Sequence, residues 1–300
     1  MEEKRSKVFL LLTIGLFATS FPAILVRLAD ADAIAIAFYR NLLASIFVLP
    51  IVLFNLRKVR EIFKLFPEMF LTSFFLSFHF ITWNASVKLT TVSSSLVIVA
   101  TQPIWSAILG MVFLKEKVSL RGFVSISIAL CSISGIGFLD SGKGSGHLLG
   151  DILALLAAIF VSCYLITGRS VKDKIPLSIW LFSIYFTSSM MILIVGLISG
   201  TQMRGFSQKT YLMFFLMALI PSFVGHSLLN YSVRHLEAYK VQLGILLEPI
   251  VSSILAYFIF IEKPETLFYP FAIVLIIGVI YGITEQSKSK NPVEDRKIDA

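Results

Sequence analysis

Apolar positions along this chain fall in long unbroken runs, separated by short polar stretches. Runs at 8–28, 33–54, 67–87, 91–114, 122–139, 148–168, 175–199, 210–231, 239–261 and 267–283 each approach the length of a bilayer-crossing helix, for which about 20 residues are needed. The strict alternation that a membrane β-barrel requires is missing from them. The pattern therefore predicts an all-α integral membrane protein of about ten transmembrane helices. Connections between the runs are too short for a soluble domain, and the polar residues 285–300 read as a disordered cytoplasmic tail. Met1–Lys7 is a charged cap, but the run behind it is of spanning length and holds Pro22 and Arg27. It reads as a first span and not as a cleavable signal.

Composition changes the picture only by naming the solvent. Hydrophobic residues make up 57% of the 300 and charged residues 15%, with a mean hydropathy of +0.86. So few charges cannot cover a water-facing surface, so the lipid bilayer is the expected partner of most of it. A net charge of +8 would otherwise suggest nucleic acid. Here the basic residues sit in short clusters between apolar runs, as cytoplasmic loops do. With the N-terminus inside and alternating spans, the inside receives Lys4, Arg5, Lys7, Arg57, Lys58, Arg60, Lys115, Lys117, Arg121, Arg169, Lys172, Lys174, Arg234 and Lys240, among others. The outside receives Arg27, Lys88, Lys143, Arg204, Lys209 and Lys263. This bias predicts both termini in the cytoplasm and a multi-pass protein of the cell membrane. Cys131 and Cys163 lie inside apolar runs and read as packing residues. No spacing of metal ligands occurs, and no cofactor is expected.

The second half of the chain repeats the first. One constant offset carries Asn84 onto Asn230, Ser86 onto Ser232, Val87 onto Val233, Lys88 onto Arg234, Pro103 onto Pro249, Glu116 onto Glu262 and Lys117 onto Lys263. The expected organisation is a first repeat over 1–140, a second over 147–284 and the tail. Five spans per repeat would invert the second copy in the membrane, the architecture that alternating-access transporters use.

The residues Thr90–Val97, Thr101-Gln-Pro-Ile-Trp105, Phe113-Leu-Lys-Glu-Lys117 with Arg121-Gly122, and Phe38-Tyr-Arg40 resemble the EamA family of the drug/metabolite transporter superfamily. Leu247-Glu-Pro-Ile250 and Phe260-Ile-Glu-Lys263 carry the same resemblance in the second repeat, which lacks a glycine at the position of Gly122. The resemblance implies ten helices, a central cavity and export of amino acids or other small metabolites.

Polar groups at bilayer depth are costly unless buried in protein or wet, so they mark cavities. Glu248, beside Pro249 near mid-span, is the candidate for a proton or substrate amine, and it would support proton coupling. Its counterpart in the repeat is the uncharged Gln102. Arg40 suits a carboxylate or phosphate. His79 and Trp83 share a face of one span, and His226 and Asn230 repeat that spacing. Trp105 and Tyr164, with Trp180 and Tyr185, are candidates for an aromatic lining, although interfacial or packing roles suit aromatic residues equally. Glu116 and Glu262 read as structural groups at span ends. An intramembrane hydrolase would need a nucleophile–base pair or a metal cluster, and neither Gly-x-Ser-x-Gly nor His-Glu-x-x-His is present. A lipid or lipid-linked translocator and a nucleotide-sugar carrier are the remaining transport alternatives. Arg40 stands nearly alone as a cavity cation, which disfavours a diphosphate. A multidrug exporter of the four-helix type would need a glutamate in span 1, which has none there.

Overall fold

A computed structural model describes residues 2–54, 60, 63–90, 92–140, 148–171, 174–260 and 266–284. Every regular element among the described residues is helical. In chain order they are α1 (Glu2–Ala18), α2 (Pro22–Leu28), α3 (Ala33–Leu53), α4 (Phe66–Leu89), α5 (Val92–Val99), α6 (Gln102–Phe113) and α7 (Leu120–Asp140). The second half holds α8 (Leu148–Ser170), α9 (Leu177–Ile198), α10 (Gln208–Met217), a π-helical segment (Ala218–His226), α11 (Ser227–Val233), α12 (Ala238–Ile245), α13 (Glu248–Phe260) and α14 (Phe268–Ile283). Eight stretches are long and apolar enough to cross a membrane, and Leu120–Gly135 and Phe268–Ile283 are shorter apolar helices. Together they fill the ten expected spans.

Three spans are broken at mid-length, and a proline stands behind each break. α1 gives way to α2 at Thr19–Phe21, α5 to α6 at Ala100–Thr101, and α12 to α13 at Leu246–Leu247. Pro22, Pro103 and Pro249 sit at the starts of α2, α6 and α13. A proline clashes with the carbonyl one turn before it and has no amide to donate, yet its fixed φ suits a first helical turn. The chain therefore stops and restarts. Side chains take up backbone carbonyls at the breaks: Ser252 Oγ donates to Ser20 O at 2.8 Å, and Ser162 Oγ to Gln102 O at 3.0 Å.

The spans enclose a core of aliphatic and aromatic side chains that includes Leu76, Phe80, Ile133, Trp180, Ile184 and Tyr185. α4 lies against α8 and α9, α3 against α9, and α7 against α14. Large apolar residues such as Phe113, Leu148, Ile198 and Phe258 remain exposed, as a lipid-facing rim demands. The α7–α14 contact is close because Gly282 has no side chain: a Cβ there would collide with Ser125 Oγ. Small residues permit such approaches between membrane helices.

Candidate functional site

The three breaks meet at one cavity. The empty space it encloses, open solvent included, is about 660 Å³. Thr19 and Pro22 come from the first break, Ala100 and Gln102 from the second, and Leu246, Glu248 and Pro249 from the third. Each break exposes backbone that a continuous helix would satisfy internally, and such backbone is tolerated at depth only beside protein or a wet cavity.

Arg40, on α3, reaches the cavity and is 1% exposed. Its Nε donates to Ser222 Oγ at 3.1 Å, and its guanidinium lies 3.8 Å from the Phe80 ring centroid. Ser222 belongs to the π-helical segment, and its carbonyl accepts from Tyr185 Oη at 3.1 Å. One face of the guanidinium is thus covered by an aromatic ring and one edge is tied down. Nη2 has no hydrogen-bond partner among the described residues. Glu248 opens α13 on the wall of the same cavity. It forms no ion pair with Arg40. The cavity therefore holds one cation and one carboxylate, each available to something else.

The histidines frame this pair. His79 Nδ1 lies 2.9 Å from Ala157 O. A carbonyl only accepts, so Nδ1 carries the proton, and in the neutral ring Nε2 is an acceptor. His226 stands edge-on to Phe80 with centroids 5.4 Å apart. Phe80 and His226 are related by the same repeat offset as Gln102 and Glu248. Both pairs line the cavity, so the site sits where equivalent parts of the two halves meet.

Of the residues singled out from sequence, Arg40, His79, Trp83, Gln102, His226 and Glu248 come together on the cavity wall. Trp105, Tyr164 and Asn230 are not among its lining residues. The Trp105 indole donates to Thr101 Oγ1 at 3.2 Å. Asn230 Nδ2 donates to the Tyr164 hydroxyl and to His226 O, the latter at 2.7 Å. Glu116 forms an ion pair with Arg169, while Glu262 lies outside the described residues. Sequence reasoning missed Phe80, Ser222 and Thr19. Phe80 carried a signal, as the repeat counterpart of His226. Ser222 and Thr19 carried none. Both cysteines are free, and no group of metal-ligating side chains occurs among the described residues.

The profile of the EamA-like transporter family matches the chain twice, over residues 5–138 and 148–284. The chain is 26% identical over 280 residues to the uncharacterized transporter YdfC of Bacillus subtilis, covering 92% of this chain and 90% of that one. It is 28% identical over 157 residues to an uncharacterized transporter of Archaeoglobus fulgidus, covering 51% of this chain and 54% of that one. A solved crystal structure superposes with a TM-score of 0.80 at 11% identity, over 98% of this chain and 99% of that one, a likeness of fold alone.

Proposed function

The chain belongs to the EamA-like transporter family and is a multi-pass membrane transporter; from that premise we propose that it carries a small amino-acid-like zwitterion across the cell membrane by alternating access of its two halves. The observation that carries this reading is the unpaired arrangement of Arg40 and Glu248 in one cavity. A guanidinium edge left without a hydrogen-bond partner at bilayer depth is costly unless water or a ligand meets it. A solute carboxylate answers Arg40 Nη2, and a solute ammonium answers Glu248. Trp83, Leu96, Val99, Val161 and Leu229 supply apolar wall for the remainder of the molecule. A single cation is poorly matched to a diphosphate, which favours a zwitterion over a nucleotide sugar. Glu248 releases or takes a proton as the ammonium arrives or leaves, which would couple transport to protons. Five spans per half would oppose the two copies in the membrane, and the basic clusters favour both termini in the cytoplasm.

The test is a thermal-shift screen of purified protein against amino acids, amines, organic acids and nucleotides. Ligands that bind the folded state raise its melting temperature with the logarithm of their concentration above Kd. Zwitterions should stabilise, and Arg40→Lys should remove most of that shift while leaving the unliganded melting temperature nearly unchanged. Stabilisation by nucleotides alone, or an undiminished shift in Arg40→Lys, would overturn the assignment.

A further inference from the structure

Four elements run from the cavity towards one end of the molecule, and each carries a polar residue just beneath the cavity wall. α6 descends from Gln102 to Ser106, α8 from Val161 to Ser162 and Tyr164, α11 from His226 to Asn230, and α12, read backwards, from Ile245 to Gln242. These residues bond to one another across helices. Ser106 Oγ meets Gln242 Oε1, Ser162 Oγ lies 3.4 Å from the same oxygen, and Asn230 donates to Tyr164. All five are buried. Gln242 Nε2 is left without a partner among the described residues, although buried polar groups are nearly always paired.

Below this layer lies a cross-link between the halves. Arg169, at the end of α8, pairs through Nε with Glu116, beyond the end of α6. Its Nη1 donates to the carbonyl of Val233, the last residue of α11, and to that of Leu236 in the turn beyond it. The Val233 carbonyl belongs to the partly negative end of a helix, which suits a cation. The chain is built to bring Glu116 there. Lys115 takes a left-handed φ of 55°, a conformation that costs a non-glycine residue energy, and turns the chain back after α6. The Glu116 amide then donates to Gly110 O at 3.1 Å. A Cβ on Gly110 would lie 3.1 Å from Glu116 Oε2, so the missing side chain makes room for the carboxylate. From Gln102 at the cavity to the end of α6 is about 18 Å at the rise of an α-helix.

We propose that the Arg169–Glu116 cross-link, with the Val233 and Leu236 carbonyls, is the gate that holds this end of the transporter closed, and that Ser106, Ser162, Tyr164, Asn230 and Gln242 line the shut half of the solute path. The inference rests on the transport reading but not on the identity of the solute. When the cross-link opens, α6 of the first half and α8 and α11 of the second separate. The polar layer then becomes a wet continuation of the cavity, and Gln242 Nε2 gains a partner.

The experiment measures alkylation by a hydrophilic maleimide in nanodiscs, without solute, in a background of Cys131→Ala and Cys163→Ala. One reporter, Ser162→Cys, sits in the shut layer, and the other, Val99→Cys, sits on the cavity wall. Arg169→Ala should speed alkylation at position 162 at least tenfold and leave position 99 equal or slower. Glu116→Gln, which preserves volume, should act in the same direction and carries the test if Arg169→Ala does not fold. An unchanged rate at position 162, or an equal rise at both positions from general loosening, would overturn the gate. Neither result bears on solute binding by Arg40, so the two proposals fail separately.

Discussion

The breaks between α5 and α6 and between α12 and α13 are the same device built twice, with a different polar side chain at the cavity. Each stops a span at equivalent positions, restarts it with a proline in the first turn, and presents the first side chain of the new helix to the cavity. In the first half that side chain is Gln102, and in the second it is Glu248. The backbone of the site is therefore near-symmetric while its charge is not. Symmetry provides two halves that can exchange conformations. On the zwitterion proposal, the asymmetry orients the solute between Glu248 and Arg40.

The largest effect is expected from erasing that asymmetry. Glu248→Gln makes the two breaks chemically alike and should lower transport of the stabilising solute about tenfold or more, equivalent to roughly 1.4 kcal/mol. It should also shift the pH dependence of transport while the protein still reaches the membrane folded. Initial-rate uptake or efflux in proteoliposomes across a pH series would read both. Unchanged rate and pH profile would make Glu248 a packing residue. A smaller effect is expected on the other side of the comparison. Gln102→Met keeps length and removes only the amide. The hydrogen bond that Ser162 makes at this position goes to the Gln102 backbone carbonyl and survives the change. Binding of the same solute, followed by its thermal shift, should change by less than about threefold, or roughly 0.6 kcal/mol. A loss as large as that of Glu248→Gln would mean that the two positions act as equals.

The ten spans were legible because lipid imposes one simple rule on sequence, long apolar runs, and the chain obeys it from residue 8 to 283. The breaks were harder to read. Apolar sequence continues on both sides of each break, and only Pro22, Pro103 and Pro249 hinted at the stops. The same limit applies to the site. Arg40, His79, Gln102, His226 and Glu248 stood out because polar groups at depth are rare. Ser222 and Phe80, which hold Arg40 in place, look like any serine or phenylalanine in a span. Ser222 faces Arg40 from a π-helical turn that contains Pro221, a local change of winding that no apolar periodicity announces. Trp105 shows the converse. Its type suggested an aromatic lining, yet its indole is bonded back to Thr101 one turn earlier.

The central claim is that the solute occupies the cavity where the three breaks meet, held by Arg40. The most direct measurement is protection of a single cysteine at Val99, a lining residue, from alkylation in the cysteine-free background. Val99→Cys should be alkylated at least threefold more slowly when the stabilising zwitterion is saturating, and the protection should disappear when Arg40→Ala is added. Alkylation at the same rate with and without a solute that demonstrably binds would place that solute elsewhere and contradict the account.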